Sequence, residues 1–275
     1  MKLGGAAWSF VGTTLVEAAG IWRALGVHAM DLIAAPGMDC EPGMIEADPL
    51  GIARRFREPE MELGNLIVLL GADFADRAIN STDAAVRTRN VESVKRLVEC
   101  CAEAGLSSLT IPPGVDQPGM SHADSIAQSG EALHELGEIA AASGILLVFE
   151  PHVQSCFESP LDTLAFLARN PGIRIALDYS HFVCVGFTPD QVDPLIPYAG
   201  HVHLRQGADC NIQARWEEGI VDYPEVVRKL RKAGYDDYVV FEYEHDEWMQ
   251  MDGCDVMTET IKMRDAVLPL FQSQR

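Results

Sequence analysis

The chain has 275 residues, of which 48% are hydrophobic and 23% are charged, as in ordinary globular proteins. This length allows one large domain or two small ones and a substantial buried core. With 21 Lys and Arg against 41 Asp and Glu, the net charge is −20. That charge disfavours nucleic acid and anionic membrane surfaces as partners, but not small-molecule substrates or divalent cations.

The seven cysteines are odd in number and include no C-x-x-C pair. We therefore predict reduced thiols, without a cysteine zinc site or a redox motif. The N-terminus lacks the apolar core of a signal peptide, and the sequence contains no run of ~18 apolar residues. These features favour a cytoplasmic protein.

Short apolar segments alternate with longer segments of helical pattern along the chain. The predicted strands are residues 3–8, 29–34, 66–70, 107–111, 146–150, 173–178, 201–205 and 238–242. The predicted helices are residues 14–24, 85–104, 125–142, 161–169, 189–196, 224–233 and 258–271. Between the second and third strands the sequence predicts a long loop containing Pro36 and Gly37.

Eight such alternations predict a (β/α)₈ barrel that forms a single domain over residues 1–275, since ~250 residues is typical of that fold. A doubly wound sheet is the alternative. The sequence contains none of the glycine-rich phosphate loops that such a sheet usually carries after its first strand. We also find no linker, repeat or low-complexity tract.

Metal-ligand residue types occur on each of the last four predicted strands, as Glu150, Asp178, His203 and Glu242. A barrel brings the carboxyl ends of its strands around one mouth, so these side chains should converge. Three carboxylates and one imidazole suit one Mn²⁺ or Mg²⁺ ion, with Zn²⁺ and Co²⁺ as alternatives. His201 and Glu244 remain alternatives to the neighbouring His203 and Glu242.

Side-chain alternation along a strand identifies further residues that face the barrel axis. His152 shares a face with Glu150, and Arg205 shares a face with His203. Three tryptophans are candidates to line the pocket and stack on a substrate, and they are Trp8, Trp216 and Trp248.

Four motifs in the second half of the chain resemble those of one family. They are the glutamate of LLVFEPH, the D-x-x-H of Asp178 and His181, the H-x-H-x-[KR] of His201, His203 and Arg205, and EGIVDYPEVVRKLRKAGYDDYVVFEYE. Together they resemble the xylose isomerase-like TIM barrels, which include sugar isomerases and epimerases, hydroxypyruvate isomerases, inosose dehydratases and endonuclease IV. The resemblance is strongest from about residue 140 to about residue 245.

This resemblance implies metal ligation by Glu150, Asp178, His203 and Glu242, and contact between His181 and substrate hydroxyls. We add His152, Arg205 and Trp8 as candidate substrate contacts.

The sequence also departs from the family pattern. Arg205 stands where Lys is common, Gln206 where an acidic residue often follows, and Asp31 where Glu is frequent. Asp209 occupies the position of an arginine found in the epimerases, and Arg215 is a candidate substitute from the same loop.

These observations predict a metal-dependent isomerase or epimerase of a small sugar-like carbonyl compound. The metal would stabilise an enediolate while Glu150 and Glu242 remove and return the proton. An inosose-type dehydratase and a non-catalytic sugar-binding barrel are the alternatives, and homo-oligomerisation is left open. Endonuclease IV chemistry is disfavoured by the net charge of −20, and the hydride shift of xylose isomerase by the lack of a matching strand-end lysine.

Overall fold

The computed structural model describes residues 1–245, 249 and 251–272. Within them, eight parallel strands close into a barrel in chain order. The strands are β1 (Lys2–Ala6), β2 (Ala29–Ala34), β3 (Glu62–Val68), β4 (Ser108–Ile111), β5 (Leu146–Phe149), β6 (Arg174–Asp178), β7 (Ala199–Leu204) and β8 (Tyr238–Phe241). The register between β1 and β8, which closes the barrel, pairs Gly4 with Val240. The predicted (β/α)₈ fold is confirmed, and the doubly wound alternative is wrong.

Helices surround the barrel. They are α1 (Leu15–Ala24), α2 (Pro42–Ala47), α3 (Pro49–Arg57), α4 (Ala84–Ala104), α5 (His122–Ala141), α6 (Pro160–Arg169), α7 (Tyr179–Val183), α8 (Pro189–Val192), α9 (Tyr223–Lys232) and α10 (Val256–Gln272). Local signals explain their limits. Thr14 and Glu17 form a capping box at the start of α1, and Gly105 ends α4 with a φ of 83°.

The prediction of a long loop after β2 is wrong, because α2 and α3 lie there. Pro42 and Pro49 each occupy the first turn of a helix. Proline is favourable at that position because its fixed φ suits the helix and its missing N–H would have no partner anyway. The short α7 was also not predicted, and it begins where the Asp178 side chain accepts a hydrogen bond from Ser180 N.

Strand β3 begins at Glu62, earlier than the predicted residue 66. Gly64 and Asn65 interrupt the apolar pattern there, yet both are needed in the barrel. A Cβ at Gly64 would lie 2.6 Å from Asp31 Oδ1. The buried Asn65 accepts hydrogen bonds from the hydroxyls of Ser108 and Thr110.

The main apolar core lies between the strands and the surrounding helices. Inside the barrel, a smaller apolar cluster contains Ala6, Ala29, Tyr238 and Val240. Asp31 follows Ala29 on the same face of β2, so the interior becomes polar towards the carboxyl ends of the strands. All seven cysteines are free thiols in the structure. None of the helices in the described ranges combines the length and apolar character that a membrane span requires.

We expect Gly5→Ala to destabilise the barrel, because the added Cβ would lie 2.1 Å from Cε2 of the fully buried Trp22. Overpacking of this kind typically costs ~1–3 kcal/mol. The matched control is Gly20→Ala within α1, where a Cβ meets nothing within 4 Å and alanine should stabilise the helix by ~0.5–1 kcal/mol. Urea denaturation measures both, and equal free energies of unfolding for the two variants would contradict the packing argument.

Candidate metal centre and active site

Three acidic and histidine side chains from three strands meet at the carboxyl end of the barrel. Glu150 directly follows β5, His203 lies on β7, and Glu242 directly follows β8. His203 Nδ1 is 3.0 Å from Glu150 Oε1 and 3.3 Å from Glu242 Oε2. All three residues are at most 9% exposed. One candidate ligand atom from each lies within 4.8 Å of the others, so this Glu150–His203–Glu242 trio has the spacing of a metal site.

The charges of the trio fit a cation. Burial opposes protonation of His203, but Glu242, Asp31 and Glu150 together raise its pKa well above the usual range. Burial raises the pKa of Glu242 well above its ordinary value, although His203 and Arg205 oppose the shift. Glu242 Oε2 is buried without a hydrogen-bond partner. Two buried carboxylates beside one imidazole form an acidic set of donors, and a divalent ion held by the trio would neutralise it.

Asp178, the fourth predicted ligand, lies outside this trio. Its Oδ1 accepts a hydrogen bond from Ser180 N at 2.8 Å. Its Oδ2 accepts from Ser180 Oγ and from the Arg205 guanidinium, both at 2.7 Å. Metal ligation by Asp178 therefore stays a prediction. To bind a metal, Asp178 would have to use an oxygen that already accepts a hydrogen bond from Ser180 or Arg205.

The Arg205 guanidinium is buried among carboxylates. It donates to Asp178 Oδ2 and to Glu244 Oε1, each at 2.7 Å, and lies 3.7 Å from Glu242 Oε2. Although burial opposes it, attraction to Asp178 and Glu242 raises the pKa of Arg205. Arg205 lines the cavity, and its contact with substrate stays a prediction. Glu244 pairs with Arg205.

The predicted substrate contacts His152 and His181 lie side by side at the edge of the trio. Their ring centroids are 3.8 Å apart, and the ring of Phe74 lies 4.5 Å from that of His152. Burial lowers the pKa of both histidines, and that of His181 falls well below its ordinary range. Both rings therefore favour the neutral form, which can donate to one substrate hydroxyl and accept from another.

Asp31 and His201 form a buried pair beneath the trio. His201 Nε2 is 2.6 Å from Asp31 Oδ2, and the same oxygen lies 3.5 Å from His203 Nε2. Asp31 Oδ1 accepts a hydrogen bond from Asn65 N at 3.0 Å. His201 is thus a partner of Asp31, whereas His203 faces the two glutamates. Asp31 contacts both histidines and can orient the imidazole of His203, as outer carboxylates do for metal-bound histidines.

We expect Asp31→Asn to lower the affinity for a divalent ion by ~10–100-fold, the usual effect of losing such an outer partner. Calorimetric titration with Mn²⁺ measures this change. Glu62→Gln is the control, since Glu62 carries the same charge on β3 but pairs with Lys2 and is half exposed. Unchanged affinity in a folded Asp31→Asn protein would show that Asp31 does not orient the site.

A cavity of about 330 Å³ lies above the trio. Trp8 lines it, as predicted, whereas Trp216 packs against the main core and Trp248 lies outside the described residues. The sequence did not identify Asp73 or Phe74, which follow β3 and also line the cavity. Their place in the loop that follows a barrel strand was the signal that the sequence offered.

The fold and the trio define a (β/α)₈ barrel with a candidate metal centre at its carboxyl end. The family model described as xylose isomerase-like TIM barrel matches residues 21–265. The chain belongs to this family. A comparison of the sequence with curated proteins finds no match.

Solved structures share the fold along nearly the whole chain. The chain is similar to 3-keto-D-glucoside 4-epimerase YcjR from E. coli, with 17% identity and a TM-score of 0.69, covering 98% of this chain and 99% of that one. It is similar to the IolI protein with a bound zinc atom, with 18% identity and a TM-score of 0.74, covering 99% and 100%. It is also similar to D-allulose 3-epimerase from Methylomonas sp. in complex with D-allulose, with 19% identity and a TM-score of 0.71, covering 100% and 97%.

Proposed function

We propose that the protein is a metal-dependent isomerase or epimerase of a small polyhydroxylated carbonyl compound. The observation that carries this proposal is the Glu150–His203–Glu242 trio, which combines ligand spacing with access to the cavity through both glutamates. The sugar epimerases among its structural neighbours support the choice of reaction. Oxygen-rich donors favour Mn²⁺ or Mg²⁺, and the zinc bound by IolI makes Zn²⁺ the first alternative.

The residues of this chain would divide the reaction between them. A divalent ion held by the trio would act as a Lewis acid that acidifies the C–H bond beside the substrate carbonyl. Glu150 follows β5 and Glu242 follows β8, three strands apart around the barrel, so they can reach the substrate from two directions. One would remove the proton and the other would return it. His152 and His181 would orient the substrate hydroxyls.

The charges around the site support a small-molecule substrate rather than nucleic acid. The net charge of the chain is −20, and Arg205 is the only Lys or Arg among the described residues that line the cavity. Arg205 is already paired with Asp178 and Glu244. Among the described lining residues, a phosphodiester backbone would therefore find no unpaired Lys or Arg.

Incorporation of solvent deuterium tests the proposed reaction. The protein is incubated in D₂O with Mg²⁺ or Mn²⁺ and a panel of ketoses, keto-glycosides and inososes, and the recovered compounds are analysed by mass spectrometry. We expect deuterium at the reacting carbon of at least one compound, and no incorporation with chelator present. Loss of water from the compound would indicate the dehydratase alternative, and no change in any compound would contradict the proposal.

A further inference from the structure

The two halves of the barrel line the cavity with different chemistry. The first half, β1 to β4 with their following loops, contributes mainly apolar side chains, including Trp8, Ile33, Ile67, Leu69 and Phe74. Asp73, Thr110 and the indole N–H of Trp8 are the polar exceptions among the described side chains of this half. A substrate between the halves would therefore meet an apolar wall on one side.

The second half of the barrel supplies the polar groups. Glu150, His152 and His181 follow β5 and β6, and Glu242 follows β8. These are the groups that the proposed function assigns to the reacting carbons and their oxygens. The reacting end of a substrate would thus face β5 to β8, and its remote end would face the wall from β1 to β4.

Among the described lining residues, no unpaired Lys or Arg is available to an anionic group at the remote end. Arg205 is the only Lys or Arg among the described lining residues, and its guanidinium contacts Asp178 and Glu244. The segment from residue 243 to residue 261, which includes the lining residues Met249 and Met251, contains no Lys or Arg in its sequence. The acidic lining residues would repel a phosphate ester.

A hydroxyl at the remote end that lies against Ile33, Ile67 or Leu69 would also lose hydrogen bonds. Transfer of a hydroxyl from water to an apolar wall is unfavourable unless a partner replaces the water. The side chains of Ile33, Ile67 and Leu69 offer no such partner. A methyl group in the same place would gain contact with them.

From this division of the cavity we infer that the substrate is an unphosphorylated polyhydroxy carbonyl compound whose end remote from the reacting carbons is apolar, as in a terminally deoxygenated sugar. The inference rests on the proposed isomerase or epimerase activity of the same site. The cavity of about 330 Å³ lies at the lower end of the ~300–1,000 Å³ range of small-molecule pockets. That space suits a monosaccharide-sized compound.

The test compares three matched compounds, a 6-deoxyketohexose, the parent ketohexose and its 6-phosphate, as substrates for deuterium incorporation in the presence of Mg²⁺. We expect kcat/KM for the deoxy compound to exceed that of the parent by ~10–100-fold, as for a hydroxyl placed in an apolar pocket. The phosphate ester should be the poorest of the three.

Two changes at Leu69, a half-buried wall residue, should alter this order. Leu69→Asn should reduce the preference for the deoxy compound, and Leu69→Arg should raise the relative kcat/KM of the phosphate ester. Leu161→Asn is the matched control, because Leu161 is 63% exposed on α6 and does not line the cavity. If both Leu69 variants keep the wild-type order of kcat/KM for the three compounds, the apolar wall does not determine the preference for the deoxy compound.

Calorimetric binding of the corresponding hexitols separates this inference from the proposed function. The inference would be overturned if the parent compound or the phosphate ester incorporated deuterium as well as the deoxy compound, or better. The proposed function would then still stand. No incorporation, but tightest binding of the 6-deoxyhexitol, would support the ligand class and overturn the proposed reaction. Neither incorporation nor binding of any of these compounds would overturn both.

Discussion

His203→Ala is expected to lower the affinity of the protein for Mn²⁺ or Co²⁺ by more than ~100-fold, the upper end of the loss seen when only an outer partner is removed. The substitution removes the nitrogen that lies 3.0 Å from Glu150 and 3.3 Å from Glu242. It would leave two buried carboxylates whose mutual repulsion must be relieved by protonation rather than by metal binding. Calorimetric titration of chelator-treated protein measures both affinity and stoichiometry, which we expect to be one ion per chain.

His134→Ala is the matched control for this change, because His134 lies on α5 and contacts Asn170 away from the barrel mouth. Its affinity and stoichiometry should equal those of the wild type. Wild-type binding by a folded His203→Ala protein would show that the ion, if bound, lies elsewhere. If the wild-type protein itself binds close to zero metal ions per chain, the result would instead favour the non-catalytic sugar-binding barrel.

The barrel and the convergence of the trio could be predicted because both depend on a simple repeat. Each strand is a short apolar segment followed by a helix, and strand ends in a parallel barrel meet at one mouth. Glu150 and Glu242 each follow such a segment directly, and His203 shares the inward face of its strand. The positions of these three residues in the sequence were therefore enough to predict that they meet at the barrel mouth.

The partners of Asp178 could not be predicted in the same way. The register between β6 and β7 pairs Asp178 with His203, which agrees with a shared metal site. Arg205 lies two residues after His203, just past the end of β7, and its long side chain reaches back to Asp178. Such a contact depends on the rotamer of a flexible side chain, which no spacing of residues in the sequence defines.

The apolar wall was missed for a different reason. Apolar residues in βα-loops and at strand ends have the same composition as core residues, so sequence does not show which of them face a cavity. Ile67 on β3 and Leu69 after it illustrate this, since both belong to an apolar stretch that continues into the buried Leu70. Only the closed barrel shows that these two side chains line the same cavity as Glu150 and Glu242.

The largest effect on catalysis is expected from Glu150→Gln and Glu242→Gln. Each should lower the rate of the chemical step by ~10²–10⁴-fold, the usual contribution of general acid–base catalysis. An isolated glutamate, with a pKa of ~4.3, is too weak a base for an unactivated C–H bond. Proton transfer by these two residues therefore depends on acidification of the substrate by the metal. Each substitution should lower the rate measured with metal, and should have no effect on any rate measured without it. The measurement is single-turnover deuterium incorporation at saturating metal.

Glutamine keeps the size of the side chain and one oxygen that can bind a metal, so the two variants separate proton transfer from ligation. The control is Glu244→Gln, because Glu244 contacts Arg205 beside the trio but is not part of it. It should keep a rate closer to wild type than either of the other variants.

If Glu150→Gln or Glu242→Gln binds metal normally and loses deuterium incorporation, its glutamate transfers the proton. If it binds metal normally and keeps full turnover, its glutamate has no part in proton transfer, and the reaction must use a base outside the trio. Turnover without any solvent deuterium in the wild type would indicate a direct hydride shift and would remove both glutamates from the proposed mechanism.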